Sequence, residues 1–347
     1  MGVTAIDLVE IKEGWQHQKD VNHNEFRENV MKIRFTSSKY KTLRASHRLR
    51  GAVTCQALVD QGYDAKILTD WNEIDSDTLV IFLKLSQVDQ IQEAKRRGAR
   101  TIYDLCDNKF DEQPEYAPCC MAADLVTVNS IQMGASVKEH TGRDSIVMPD
   151  PFERPKLAPA FAPAEDVKLL WFGSQASFKF LPIVEVWQRL EDEIKNYRYT
   201  MVSAKTERLL NKMTLRQAKG SVVGINFDRI DMQTWTWELQ GQLLQDCDIV
   251  LMPVQTDNPR TDTKSANRVI DSLISGRFVI TTPLASYEEF APYTWQGDYI
   301  EGIKWARANP DQVIDRITKG QQYVEENYSA RVLSNKFIED ISYAIER

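Results

Sequence analysis

The chain of 347 residues is 42% hydrophobic and 27% charged with a net charge of -7, which leaves room for two full-core domains and excludes a fibrous or disordered class. No apolar run approaches the roughly 18 residues of a membrane span, and Asp7, Glu10 and Glu13 stand where a secretion signal needs basic and then apolar residues, so a cytoplasmic protein is expected. The five cysteines, Cys55, Cys106, Cys119, Cys120 and Cys247, are odd in number and lack C-x-x-C spacing, which argues against a disulfide framework or zinc knuckle and for reduced, mostly buried thiols.

Residues 1–29 carry no readable pattern and count as an N-terminal extension. Strands are predicted at Met31–Thr36, Ala65–Leu68, Thr78–Leu83, Thr101–Asp104 and Leu125–Asn129, alternating with helices at His47–Gln61, Gln87–Arg97 and Ile131–Glu139. Such alternation implies a mainly parallel sheet wound on both faces. The segment Met148–Pro163 holds Pro149, Pro151, Pro155, Pro159 and Pro163 and reads as the linker. Between Asn29 and Val59 there is no acid, while Lys32, Arg34, Lys39, Lys41, Arg44, Arg48 and Arg50 form a local basic field on an acidic protein.

The second half opens with a strand at Val167–Phe172 and a helix near Leu181–Ile194. Strands at Tyr199–Ser203 and Ser221–Ile225 follow, then a helix from about Met232 to Gln245, a strand at Asp248–Val254, a helix beginning near Lys264, a strand at Phe278–Thr282 and a helix-rich tail from Gln312 to Ile345. The helix near Lys264 closes at Gly276. Its entrance suits an anion, because first-turn N–H groups have no intrahelical partner and the dipole there is positive; Lys264, Ser265, Asn267 and Arg268 add donors. Asp271 lies about one turn further on, where a carboxylate can accept from a ribose. An ordinary capped α/β crossover fits the same spacing.

The order D-I-V-L-M-P, K-S-A-N-R-V-I-D-S-L-I-S-G-R-F-V-I and P-L-A-S-Y-E-E-F over Asp248–Phe290 resembles the donor half of GT-B glycosyltransferases, most closely glycosyltransferase family 4. The resemblance is strong over about Val167–Asn327 and weaker over Met31–Glu153. It implies an α/β protein of GT-B architecture, two Rossmann-like domains whose parallel sheets face an interdomain cleft. The expected boundaries are an acceptor domain at 30–153, a linker at 154–166, a donor domain at 167–328 and a final helix at 329–347 that crosses back over the hinge. The nucleotide-sugar diphosphate would lie at the Lys264 helix entrance, with Asp271 holding the ribose. One departure is plain: of the two family glutamates eight positions apart, the second falls on Asp271 and the first on Thr263, beside Asp262 and Lys264. That puts the identity of the transferred sugar in doubt.

Gly173-Ser174 follows a strand where backbone can approach a ligand, and Lys179 falls near the family lysine that meets the donor phosphates, although it reads equally as a solvated helix start. Ser203, Asn226 and Phe227 sit in loops at strand ends, where ligands of open α/β sheets gather, and are candidate nucleoside walls. Trp235 and Trp237 read as helix-packing aromatics rather than a stacking platform. In the first half, Ser46, His47, Arg48 and Arg50 would face the cleft and suit an anionic acceptor or the diphosphate. Asp104 and Asp107 end a strand, and a carboxylate there can orient or deprotonate an acceptor hydroxyl. Asp107, Asp104 and His47 are therefore the catalytic candidates.

The expected activity is transfer of a sugar from a nucleotide sugar, UDP-linked first and GDP-linked second, to an acceptor hydroxyl, with retention implied by the resemblance and without a metal. The basic segment suits a phosphorylated glycan, a lipid-linked sugar or hydroxylated DNA. No G-x-G-x-x-G occurs, which argues against a dinucleotide oxidoreductase. A nucleotide-sugar epimerase of the same architecture and a catalytically silent nucleotide- or glycan-binding scaffold stay open.

Overall fold

The computed structural model describes residues 31–37, 44–84, 87–173, 183–204, 226–254 and 259–345. The first half forms six strands, β1 (Lys32–Thr36), β2 (Ala65–Ile67), β3 (Thr78–Leu83), β4 (Arg100–Leu105), β5 (Leu125–Val128) and β6 (Ile146–Val147). Their order is β2-β1-β3-β4-β5-β6. The second half forms β7 (Val167–Phe172), β8 (Tyr197–Ser203), β9 (Ile230–Thr234), β10 (Ile249–Met252), β11 (Phe278–Thr281) and β12 (Trp295–Gln296), ordered β12-β11-β10-β7-β8-β9. Every pairing among these strands is parallel. The central strands show why: β3 (TLVIFL) and β10 (IVLM) are buried at every position, as strands covered on both faces must be.

Crossovers supply the cover. A helical run follows β1 as α1 (Ala45–His47), a π-helical turn at Arg48–Val53 and α2 (Thr54–Asp60). Then come α3 (Val88–Arg96), α4 (Tyr116–Ala122) and α5 (Ile131–Thr141), the last capped by the Ser130 hydroxyl accepting the Met133 N–H at 3.2 Å. In the second half lie α6 (Ile183–Arg189), α7 (Trp237–Asp246), α8 (Pro259–Asp262), α9 (Asn267–Ile274), α10 (Tyr299–Ala308), α11 (Pro310–Tyr328) and α12 (Ala330–Ile345).

Two elements depart from the sequence expectation. Residues 232–234 are strand rather than helix, because Ile230 and Met232 alternate with Asp231 and Gln233 at period two. The helix starts only after Thr236, whose hydroxyl accepts the Leu239 N–H at 3.1 Å. The helix predicted from Lys264 begins at Asn267, behind the separate short helix α8. The strand predicted at Ser221–Ile225 lies outside the described residues.

Each sheet carries an apolar layer on both faces. The C-terminal helix α12 belongs to the first domain's core, where Phe337, Ile338 and Ile341 pack with Ile33, Phe35 and Leu58. The proline-rich linker is pinned along the second domain: Phe152, Leu157 and Ala160 each donate a backbone N–H, at 3.1 Å, to Tyr328, Ile274 and Gly276 carbonyls respectively. Gly276 ends α9 in the left-handed region (φ 69°), and a Cβ there would stand 2.4 Å from the Ala158 carbonyl oxygen. Among the described residues no helix is long and apolar enough to cross a membrane.

Candidate active-site cleft

The carboxyl ends of the two sheets meet. Asn129 Nδ2 and Ser130 Oγ, just past β5, donate to the Thr263 carbonyl at 3.4 and 3.3 Å, joining the first domain to the loop before α9. On the second-domain wall, Arg268 in the first turn of α9 donates from Nη1 to the Phe172 carbonyl at 3.3 Å. It lies beside Gly173, where a Cβ would meet that guanidinium at an ordinary 3.4 Å but crowd the Trp171 ring at 3.0 Å. Lys264, half-buried at the same entrance, has its pKa lowered to about 8, by burial first and by the Arg268 charge second, with Asp107 opposing. Ser265 and Asn267 are half-buried between them.

Asp107 forms an ion pair with Lys84, leaving its carboxylate 39% exposed. Asp107, in the first domain, is near enough to Lys264 for its charge to favour the ammonium form. The remaining catalytic candidates stand elsewhere. Asp104 is held by Arg50 through Nε (2.6 Å) and Nη2 (2.5 Å) and by the Thr127 hydroxyl (2.7 Å). Arg50 also donates to the Met148 carbonyl (2.6 Å) and to Asp150 (2.9 Å). Burial works against its charge, but Asp104 and Asp150 more than offset that and its pKa is raised. Arg50 and Asp104 thus fasten the linker to the first domain, with side chains only 4% and 8% exposed. His47 is fully buried in α1, whereas Ser46 beside it is half-buried.

Among the described residues, most of the acid-free segment's basic side chains are neutralised by ion pairs. Lys32 pairs with Asp75, Arg34 with Asp64 and Glu73, Arg48 with Glu153, and Arg50 with Asp104 and Asp150. The acids come from distant sequence, which is why a local charge count overstated the field. Lys39 and Lys41 lie outside the described residues.

A second constellation surrounds the linker. Arg48 grips Glu153 through Nε and through Nη2 (2.6 Å), and its guanidinium lies 5.6 Å from the ring centres of both Trp235 and Trp237. The Glu153 N–H donates to Asp271 Oδ1 at 3.2 Å. Arg154 stacks 3.5 Å from the Trp237 ring centre and donates from Nη1 to the Trp237 carbonyl at 2.8 Å. A cavity of about 590 Å³ opens here, lined by Arg48, Val53, Phe152, Glu153, Arg154, Pro155 and Trp237. Asp271 is buried, and its pKa is pushed up to about 7, by burial first and then by the Glu153 carboxylate. Trp237 therefore walls a cavity instead of serving helix packing alone. Glu153 and Arg154 escaped the sequence reading because they sit in a proline-rich stretch that looks like a spacer.

Of the other nucleoside candidates, Ser203 is buried at the end of β8, and Asn226 is exposed with its Oδ1 accepting the Asp228 N–H at 3.1 Å. Phe227 opens a short 3₁₀ turn, Phe227–Arg229, after it. Ser174 and Lys179 lie outside the described residues. No group of three or more His, Cys, Asp or Glu able to hold a metal occurs among the described residues.

No protein-family model and no curated protein sequence matches the chain. Solved structures do resemble it. A glycosyltransferase from Rickettsia africae superposes with a TM-score of 0.63 at 11% identity, over 91% of this chain and 98% of that one. Anabaena Alr3699/HepE, solved with UDP and glucose, gives 0.61 at 11% identity over 90% and 99%. The pneumococcal O-GlcNAc transferase GtfA, solved with UDP and GlcNAc, gives 0.57 at 11% identity over 80% of this chain and 58% of its own. The chain spans little more than half of GtfA (58%) and of TarM from S. aureus (55%), but nearly all of the Anabaena protein (99%). With two parallel six-stranded Rossmann-like sheets joined by a pinned linker and a returning C-terminal helix, the chain has the GT-B fold.

Proposed function

We propose that the chain is a glycosyltransferase that moves a sugar from a nucleotide-sugar donor to an acceptor hydroxyl, with retention and without a metal ion. The observation that carries this reading is the pairing of Lys264 and Arg268 at the entrance of α9, beside the Gly173 backbone and opposite Asp107. In the reaction the acceptor oxygen bonds to the anomeric carbon as the bond from that carbon to phosphate breaks. The diphosphate leaves with the electron pair and takes the acceptor proton on the same face. Fixed cations and helix N–H dipoles stabilise the leaving charge without reorganising. Asp107 orients the acceptor hydroxyl, and Asp271 meets the ribose. The structural neighbours named as glycosyltransferases support the same reading. An anionic acceptor now rests on Arg44 and on residues outside the described ones, since four of the seven basic side chains between Asn29 and Val59 are ion-paired within the chain.

The test is incubation with a panel of nucleotide sugars and acceptors in EDTA, following nucleotide release and acceptor mass. Transfer from one donor, lost in Lys264→Ala and Arg268→Ala variants that keep wild-type circular dichroism, is expected. Transfer undiminished in both variants would remove the α9 entrance from the mechanism. Conversion of the nucleotide sugar itself without acceptor would replace transfer by epimerisation.

A further inference from the structure

The two cations at the entrance of α9 are fixed from different domains. Arg268 is tied within its own domain, through the Phe172 carbonyl at 3.3 Å. Lys264 follows Thr263, and the Thr263 carbonyl is held by the first domain, accepting from Asn129 Nδ2 at 3.4 Å and from Ser130 Oγ at 3.3 Å. Thr263 to Ala266 form the irregular connection between α8 and α9, so these bonds fix a stretch that neither helix includes. All three partners are buried, Asn129 at 4%, Ser130 at 8% and Thr263 at 5% exposure, where a hydrogen bond is costly to leave unmade.

The first-domain side of this contact is anchored by its own secondary structure. The Ser130 oxygen caps α5 by accepting the Met133 N–H at 3.2 Å, while its proton goes to Thr263, so both capacities of the hydroxyl are used. Asn129 directly follows β5, and Leu105 of β4 stands in register with Val128 of β5. Asn129 therefore leaves the sheet next to the segment that carries Asp107, whose charge acts on Lys264. Two neighbouring strand ends of the first domain thus act on one short loop of the second, by hydrogen bonds to Thr263 and by charge on Lys264. Helix α5 also lies against the second-domain 3₁₀ turn at Ala285–Phe290. Parting the domains would break the Thr263 bonds and leave Arg268 in place on Phe172.

We propose that Asn129 and Ser130 are positioning residues that complete the diphosphate site: docking of the domains through Thr263 sets Lys264 beside Arg268, so the second phosphate of the donor is held fully only in the docked form. The inference rests on the nucleotide-sugar reading of the cleft and adds the device that assembles it. The experiment is calorimetric titration of the full chain with UMP, UDP, GMP and GDP, repeated with Asn129→Ala, which leaves the α5 cap in place, and with Ser130→Thr, which keeps the hydroxyl. In wild type and in Ser130→Thr one diphosphate should bind more tightly than the monophosphate of the same base. In Asn129→Ala that gain should shrink by about two- to tenfold, the equivalent of one hydrogen bond, while monophosphate affinity stays near that of wild type. A merely structural defect would weaken both ligands equally. Should Asn129→Ala fail to fold, Ser130→Ala gives the same comparison with Ser130→Thr as its control. No gain from the second phosphate in wild type, an unchanged gain in the variant, or an equal loss for mono- and diphosphate overturns the positioning role and leaves a nucleotide site standing. Binding of no nucleotide overturns both this proposal and the glycosyltransferase reading.

Discussion

Replacing Asp271 by Asn should stabilise the protein, and by more as the pH rises. The carboxyl is 5% exposed and accepts one backbone N–H, from Glu153, at 3.2 Å. Burial and the Glu153 carboxylate push its pKa from 3.8 to about 7, against the pull of that N–H and of Arg154 and Arg48. Between those two values the folded chain keeps a proton that the unfolded chain has lost, so stability falls as pH rises through that window. At about 1.4 kcal/mol per pH unit the penalty reaches about 4 kcal/mol at pH 8 but only about 1 kcal/mol at pH 4.5. Asparagine keeps an oxygen for the Glu153 N–H and has nothing to ionise. Urea denaturation of both proteins at pH 4.5, 6, 7 and 8 should show a gap that widens by about 3 kcal/mol across the series. A gap independent of pH, or an Asn variant less stable than wild type at pH 8, would mean that Arg154 and Arg48 hold Asp271 as a carboxylate, and the reasoning would fail.

Other consequences can be measured directly. Lys264, with a pKa near 8, is charged below that value and neutral above it, and an anionic diphosphate favours the charged form. Nucleotide affinity should therefore be level below pH 8 and fall above it, with proton uptake seen by calorimetry in buffers of different ionisation heat; flat affinity to pH 9.5 would place Lys264 away from the phosphates. Arg50→Met leaves Asp104 and Asp150 buried without their guanidinium and should cost about 3–5 kcal/mol in denaturant unfolding. Nucleotide affinity of that variant should stay within a few-fold of wild type, and a selective loss of binding with full stability would return Arg50 to the ligand site. Gly276→Ala forces a left-handed alanine with its Cβ 2.4 Å from the Ala158 oxygen. It should lose at least about 2 kcal/mol, and an unchanged unfolding midpoint would show that the linker moves aside freely.

Nine of the twelve strands were legible, because buried parallel strands are written as short apolar runs such as TLVIFL and IVLM, whereas the edge strands β6, β9 and β12 were not. The helix α9 was legible from its apolar periodicity and from Gly276, although it starts at Asn267 and not at Lys264. What could not be read were partnerships between distant residues. Arg50 and Asp104 looked like two cleft groups, since each ends or follows a strand as an active-site residue would, but 54 residues apart in sequence they neutralise one another. Strand β9 was hidden because its apolar positions are few and half-buried at a sheet edge. Arg154 was invisible because its contacts are with the ring and carbonyl of Trp237, which leave no local pattern.

The linker suggests where the two domains bend. Up to Asp150 it belongs to the first domain, through Arg50 on the Met148 carbonyl and the Asp150 carboxylate. From Phe152 onward its backbone donates to the second domain, at Tyr328, Asp271, Ile274 and Gly276. The Glu153 carboxylate is the last tie back, to Arg48. Closure of the cleft around a donor needs a hinge where the ties change sides, which places it between Asp150 and Glu153. Glu153→Ala keeps the backbone N–H that meets Asp271 while releasing Arg48. In small-angle scattering the ligand-free variant should then show a larger radius of gyration than wild type, and nucleotide should compact it further than it compacts wild type. Identical scattering of the two proteins, with and without nucleotide, would move the hinge to the other crossing, at Ser329 between α11 and α12.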